Sequence, residues 1–272
     1  MAAHYSEPEL TYLILDFQKE PETRRAIESV RRHTLFAHKI IYLHNGANSD
    51  YAYSLFKEGL VDQFIQTRHN TGLGIGTRDL FAASFSPYSF YLQNDQYLTR
   101  DFSQEEFGRI TSMIGKKLVS PHDQSAWTIL SVDLAGGMWG LHGYSERGHI
   151  MPTATYKRIE ADGMLGYHGA GPFHEGPWRE EQIQKWYKHS RYLHYTYEQP
   201  FVADNGHRAI RENADGSLWE HRTENGALRL IRGPVRARAE HPRLTELEWE
   251  NVLRTQSWPE WQIPERERTK GA

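Results

Sequence analysis

The sequence predicts an α/β fold in which a mostly parallel central sheet is flanked by helices. Between residues 11 and 100, short apolar runs alternate with amphipathic or glycine-opened segments. Strand–helix alternation with short connections produces parallel strands that are covered on both faces. Right-handed crossovers then bring the loops that follow the strands to one edge of the sheet. We therefore expect ligand-binding residues at the carboxyl ends of the strands.

The first hundred residues predict four strands and the helices between them. Residues 11–17 form the first strand, and Pro21 lies in the first turn of the following helix, where its missing N–H costs nothing. Ala26, Ile27 and Val30 share one face of that helix. The next elements are a strand at 39–43, a helix at 51–58 ended by Gly59, a strand at 61–67, a glycine-rich loop at 72–76 opening a helix through Ala83, and a strand at 88–93.

The pattern loosens after a fourth helix and a fifth strand. Ser103 and Glu106 have the spacing of a capping box, with Phe107 and Ile110 facing inward, and residues 117–120 predict a strand. Beyond residue 120 we expect a helix at 177–189, a hairpin within 206–232, a capped helix at 245–254 and a charged, disordered tail at 264–272.

Composition excludes several classes of function. The chain has 272 residues, a net charge of −3 and no cysteine. It has no global basic field to recruit nucleic acid, and it can form neither disulfides nor thiolate sites. No apolar stretch approaches the ~20 residues that span a bilayer, and the N-terminus lacks the pattern of a signal peptide. We expect a cytoplasmic protein that does not span a membrane and has no nucleic-acid partner.

The most informative stretch is YLQNDQYL at residues 91–98. Asp95 follows a buried strand, at the sheet edge that also receives the loops at 44–50 and 70–76. A carboxylate there can hold Mg²⁺ or Mn²⁺ against phosphate oxygens. The alternative is an aspartate in a turn that merely ends a strand.

Four short motifs in order resemble the nucleotide-binding half of family 2 glycosyltransferases, which have the GT-A fold. The motifs are ESVRRHT at 28–34, HNGANSD at 44–50, NTG at 70–72 and QND at 93–95. Fainter matches are GPF at 171–173 and WREE at 178–181. The resemblance implies a GT-A-like domain with residues 1–120 as the nucleotide-sugar half, 121–205 as the acceptor half, and 206–272 as an irregular C-terminal elaboration.

The resemblance implies transfer of a sugar from a nucleotide-diphospho-sugar to an acceptor hydroxyl, with inversion and metal assistance. The acceptor class stays open between glycan, protein and small molecule. The residues assigned to the nucleotide-sugar are Asp16, Asn45, Asp50, Asn70, Gly72, Arg78 and Asn94. For Arg78 the alternative is a surface arginine at a helix N-terminus.

Metal and base assignments follow from the same resemblance. Asp95 carries over as the ligand of Mn²⁺ or Mg²⁺ on the diphosphate, and His207 or His221 is a candidate to complete the metal site. Glu181 carries over as the general base, with Glu180 as the adjacent candidate. Both roles make chemical sense, because a diphosphate leaving group needs charge neutralisation and the acceptor hydroxyl must lose a proton.

The sequence departs from the family pattern at three positions. Gln93 stands where many members carry a first aspartate, His44 replaces the acid that opens the second loop, and Glu181 replaces an aspartate. A degenerate, non-catalytic GT-A nucleotide-binding module is therefore one alternative. A sugar-phosphate nucleotidyltransferase is another, since residues 74–78 (GIGTR) resemble the phosphate loop of those enzymes.

Overall fold

The computed structural model describes most of the first 204 residues and three later strands. The described residues are 8–17, 19–46, 49–68, 70–119, 125–135, 141–142, 144, 147–161, 183–184, 186–204, 208–212, 218–224 and 227–232. For residues 49, 141, 142, 160, 161, 204 and all those from 208 onward, the backbone alone is described.

Helices and strands alternate strictly up to residue 93. The helices are α1 (Glu20–His33), α2 (Ser49–Lys57), α3 (Gly72–Ala83), α4 (Gln104–Met113) and α5 (Thr153–Ala161). The strands are β1 (Leu10–Asp16), β2 (His38–His44), β3 (Gln63–Gln66), β4 (Tyr88–Gln93), β5 (Gln96–Leu98), β6 (Lys117–Val119), β7 (Ala126–Asp133), β8 (Leu141–His142), β9 (His149–Pro152), β10 (Tyr192–Thr196), β11 (Val202–Asp204), β12 (Arg208–Glu212), β13 (Leu218–Glu224) and β14 (Ala227–Arg232).

The described part of the chain contains a nine-stranded central sheet with the order β3-β2-β1-β4-β9-β7-β10-β8, and β6 pairs with β7. Strands β3, β2, β1 and β4 are all parallel. Strand β9 is antiparallel to both β4 and β7, while β10 runs parallel to β7. The expectation of a mostly parallel sheet flanked by helices is therefore confirmed.

Two apolar layers cover the sheet. Even-numbered residues of β1, such as Tyr12 and Ile14, pack with α1, α2 and α4. Odd-numbered residues, such as Leu13 and Leu15, pack on the opposite face with α3, α5 and the helical residues 183–184 and 186–189. This alternation follows from the two-residue period of a strand, and near-continuous apolar runs are typical of strands buried on both faces.

Local signals in the sequence account for the predicted helices. In α1 the inward residues Ala26, Ile27 and Val30 are buried, as expected. The Ser103 hydroxyl caps α4 by accepting a hydrogen bond from the Glu106 N–H at 3.2 Å. The Glu106 side chain does not complete the capping box, because it forms a bidentate ion pair with Arg100 at 2.7 and 2.8 Å.

Two local expectations are corrected. The glycines at 72–76 do not form a loop, since α3 begins at Gly72 and contains all three. Gly76 permits close packing of this helix on β1, because a Cβ there would lie 2.6 Å from Cδ1 of Leu15. The predicted hairpin is a three-stranded antiparallel sheet, β12-β13-β14. The helix predicted at 245–254 and the tail at 264–272 lie outside the described residues.

Candidate functional site

The candidate site lies where the order of the parallel strands reverses. Strands β2 and β3 lie on one side of β1, and β4 lies on the other. The carboxyl ends of β1 and β4 lie side by side at this point, where open α/β sheets bind their ligands, and we call the site at these two strand ends the crevice. Asp16 ends β1 and Gln93 ends β4, so both border this crevice.

Asp16 is fully buried and both of its carboxylate oxygens are saturated with hydrogen bonds. Oδ1 accepts from the Lys19 backbone N–H and from the Asn94 amide, each at 3.0 Å. Oδ2 accepts from the Tyr42 hydroxyl at 3.0 Å and lies 3.3 Å from Nδ1 of His44. Burial alone would raise the pKa of Asp16, but the hydrogen bond and charge of His44, with the bonds from Asn94 and Lys19, lower it below its usual range.

Tyr42 and His44 extend this buried network along β2. The Tyr42 hydroxyl lies 3.0 Å from Nδ1 of His44, and both side chains are on the same face of the sheet as Asp16. Burial raises the pKa of Tyr42 well above its usual value, with a further contribution from the charge of Asp16. Nε2 of His44 is buried and has no hydrogen-bond partner within the described part of the chain. The network thus links the end of β1 to β2 through side chains.

Asp95 lies in the turn between β4 and β5 and forms an ion pair with Lys19. The Lys19 ammonium donates to Oδ2 of Asp95 at 3.0 Å, and the two side chains are only 13% and 14% exposed. Asn94, the preceding residue, donates to Asp16. The loop after β1 and the turn after β4 are therefore tied together at two points across the crevice.

Asn45, Asn70 and Gly72 form a second network, beside the first. The Asn45 amide donates to Oδ1 of Asn70 at 3.0 Å and to the Gly72 carbonyl at 3.1 Å. Its oxygen accepts from the Thr71 N–H at 2.7 Å and from the hydroxyls of Thr71 and Thr67 at 3.0 Å. The polar atoms of Asn45 are thus occupied by the protein, and they join the end of β2 to the start of α3.

Asp50 and Arg78 reach solvent, unlike the buried side chains of the two networks. Asp50 is exposed in the first turn of α2. The Arg78 guanidinium, on α3, contacts the neighbouring Asp79 carboxylate at 2.8 and 2.9 Å and is 38% exposed. Direct contact of either residue with a nucleotide-sugar stays a prediction.

The described residues of this crevice do not suit a divalent cation. Mg²⁺ and Mn²⁺ favour several oxygen ligands, usually including carboxylates. Asp16 already accepts four hydrogen bonds, Gln93 carries no charge, and Asp95 is neutralised by Lys19. Within the described residues there is no group of three or more acids or histidines arranged to hold a metal.

Several predicted site residues cannot be placed. Glu180, Glu181 and His207 lie outside the described residues, and His221 lies in β13, where the backbone alone is described.

The sequence did not predict Lys19 and Tyr42 as residues of the site. A lysine at the start of a helix and a tyrosine in a buried strand look like ordinary surface and core residues, and no local signal distinguishes them.

Comparison with known proteins supports the fold. No family model matches the chain, and no curated protein matches it. The crystal structure of S. aureus TarS matches with a TM-score of 0.50 and 9% identity, over 72% of this chain and 36% of that one. TarS 1-349 in complex with UDP-GlcNAc gives a TM-score of 0.48 and 10% identity, over 72% of this chain and 58% of that one.

The architecture is therefore a GT-A-like α/β fold, as the order of motifs implies. At 9% identity the likeness to TarS concerns the fold alone, and this chain spans 36% of the length of that protein. Within the described residues, no helix is long and apolar enough to cross a membrane.

Proposed function

We propose that the protein transfers a sugar from a nucleotide-diphospho-sugar to an acceptor hydroxyl with inversion at the anomeric carbon. The observation that carries this proposal is the polar crevice at the carboxyl ends of β1 and β4 in a GT-A-like fold. Ligands bind open α/β sheets at this position, outside the carboxyl ends of the strands. A cation, Lys19, is paired with Asp95 beside these strand ends.

The reaction needs a base that takes the proton of the acceptor hydroxyl. The acceptor oxygen attacks the anomeric carbon, the bond from that carbon to the diphosphate breaks, and the nucleoside diphosphate leaves with the electron pair. A carboxylate on the face opposite the leaving group takes the acceptor proton. We assign this role to Glu181, with Glu180 as the second candidate, on the basis of their sequence motif.

A uridine diphosphate sugar is the first donor to test. TarS, whose fold this chain shares, has been crystallised with UDP-GlcNAc and with UDP. The second loop of this chain carries His44 in place of the acid found in many family 2 enzymes. The donor screen therefore includes GDP- and dTDP-sugars.

Turnover and binding measurements test the proposal together. Release of nucleoside diphosphate is followed with each sugar donor and a panel of hydroxyl acceptors, and donor binding is measured by thermal shift. We expect Glu181→Gln to lower kcat about 10²- to 10⁴-fold with little change in donor binding, because removing a general base affects the chemical step. Glu105→Gln, on the exposed face of α4, serves as the matched control. Wild-type rates in both Glu181→Gln and Glu180→Gln would contradict the base assignment.

One observation favours a second function. The ion pair between Asp95 and Lys19 and the saturated carboxylate of Asp16 are also compatible with a module that binds a nucleotide without turnover. Stabilisation by a nucleotide-sugar without hydrolysis or transfer would support that module. The nucleotidyltransferase alternative gains no support, because Gly74 and Gly76 lie within α3, which follows β3 rather than the first strand.

A further inference from the structure

The ion pair between Lys19 and Asp95 occupies the place where the sequence predicts a metal. The ammonium and carboxylate are 3.0 Å apart and shielded from solvent on most sides. Lys19 is also fixed through its backbone, whose N–H donates to Oδ1 of Asp16 at 3.0 Å. A buried network thus holds the base of the lysine side chain, while its charged end lies at the crevice.

A divalent cation would have to compete with this lysine. Lys19 donates to one of the two Asp95 oxygens at 3.0 Å, so a cation that binds Asp95 meets the repulsion of this ammonium. The position is partly buried, where charges interact more strongly than in water. No neighbour in the motif compensates, because Gln93 is neutral and the Asn94 amide donates to Asp16. A single paired carboxylate is a weak basis for a metal site.

We propose that Lys19 replaces the metal, and that its ammonium neutralises the diphosphate of the donor. An ammonium has three N–H donors on a flexible stem, so it can contact phosphate oxygens while Asp95 retains one hydrogen bond. In the absence of a ligand, Asp95 holds the lysine at the crevice. The inference rests on the proposed function, and it predicts that nucleoside diphosphates bind without a divalent cation.

Calorimetric titration with UDP, GDP and dTDP tests the proposal, each in EDTA and in Mn²⁺. We expect the wild type to bind at least one of them with dissociation constants that agree within about threefold in the two conditions. Lys19→Met, which keeps the stem and removes the charge, should weaken binding about 10- to 100-fold, the usual effect of losing one charge-assisted hydrogen bond. Lys19→Arg should restore binding in EDTA.

Asp95→Asn separates the two roles most sharply. If Lys19 neutralises the diphosphate, Asp95→Asn binds in EDTA at least as tightly as the wild type, because a competing anion is removed. If Asp95 is a metal ligand, the same variant loses the binding that Mn²⁺ supports. Lys19→Met leaves the part-buried Asp95 carboxylate unpaired, so the double variant Lys19→Met/Asp95→Asn serves as a neutral pair. The double variant should bind the nucleoside diphosphate about 10- to 100-fold more weakly than Asp95→Asn alone.

The outcomes distinguish this inference from the proposed function. Binding by the wild type that requires Mn²⁺, or a loss of binding in Asp95→Asn with Lys19→Met unaffected, overturns the inference alone. Absence of binding to all three nucleoside diphosphates in both conditions overturns the proposed function and the inference with it. Thermal unfolding of each variant verifies that differences in binding are measured on folded protein.

Discussion

Replacing Asn45 by alanine should destabilise the fold even when no ligand is present. The side chain is 1% exposed and makes five hydrogen bonds that join the end of β2, the residues after β3 and the start of α3. Sequence motifs assign this asparagine to the nucleotide-sugar. The structure shows that its amide and its oxygen are already engaged within the protein.

The magnitude follows from the groups left without partners. Truncation removes the acceptor of the Thr71 N–H and the donor to the Gly72 carbonyl. The two threonine hydroxyls can rotate toward water, since Thr67 and Thr71 are only partly buried. The Gly72 carbonyl, in the first turn of α3, keeps the hydrogen bond that the helix provides, so the Thr71 N–H is the backbone group left unsatisfied. An unsatisfied backbone group costs about 1–3 kcal/mol, which is the expected loss in the free energy of unfolding.

Urea denaturation followed by circular dichroism measures this loss. With an m-value of about 2 kcal/mol/M, the urea concentration at the unfolding midpoint should fall by roughly 0.5–1.5 M. Gln63→Ala, which truncates an exposed amide side chain on β3, is the control and should change the free energy of unfolding by less than about 0.5 kcal/mol. A loss below about 1 kcal/mol for Asn45→Ala would refute the structural role of this network.

Four further substitutions test local contributions to stability. Burial raises the pKa of Glu106, but the Arg100 ion pair outweighs burial and holds that pKa below the usual 4.5. The stability that this carboxylate contributes is therefore present above pH 4.5 and is lost as the pH falls further. The urea midpoint of unfolding should consequently change less with acid pH in Glu106→Gln than in the wild type. Gly59→Ala should lower the free energy of unfolding by about 1 kcal/mol, because the backbone φ at this residue is +73°. Gly108→Ala should raise it by about 0.5–1 kcal/mol in the same urea assay, because Gly108 is exposed in α4 and a Cβ there would meet open space. Ser103→Ala should cost about 1 kcal/mol by removing the cap of α4, and an unchanged melting temperature would contradict that role.

Most of the first half of the fold could be predicted because its signals are local. Strand β4 lies at the predicted residues 88–93. The elements β1, β2 and α1 each begin within about one residue of the start that the sequence predicts. Buried parallel strands and amphipathic helices leave periodic apolar patterns, and caps are set by neighbours three residues apart. These signals do not depend on the rest of the chain.

The second half could not be predicted to the same extent, because its strands find partners far away in sequence. Strand β9 lies between β4 and β7, and β11 pairs with β5 across about a hundred residues. Such short strands carry little pattern of their own, and their pairing is decided by the surface that is already formed. The same holds for α5, which packs its buried Tyr156 on Phe81 of α3.

By itself, the sequence determined the alternation of strands and helices, the edge of the sheet where polar residues gather, and Asp95 as a carboxylate at the end of β4. Only the tertiary structure decided what that carboxylate contacts. Lys19 is separated from Asp95 by 76 residues, and the two meet because β4 pairs directly with β1. Sequence spacing cannot reveal such a contact, since it depends on strand order. This contact makes Asp95 one half of an ion pair.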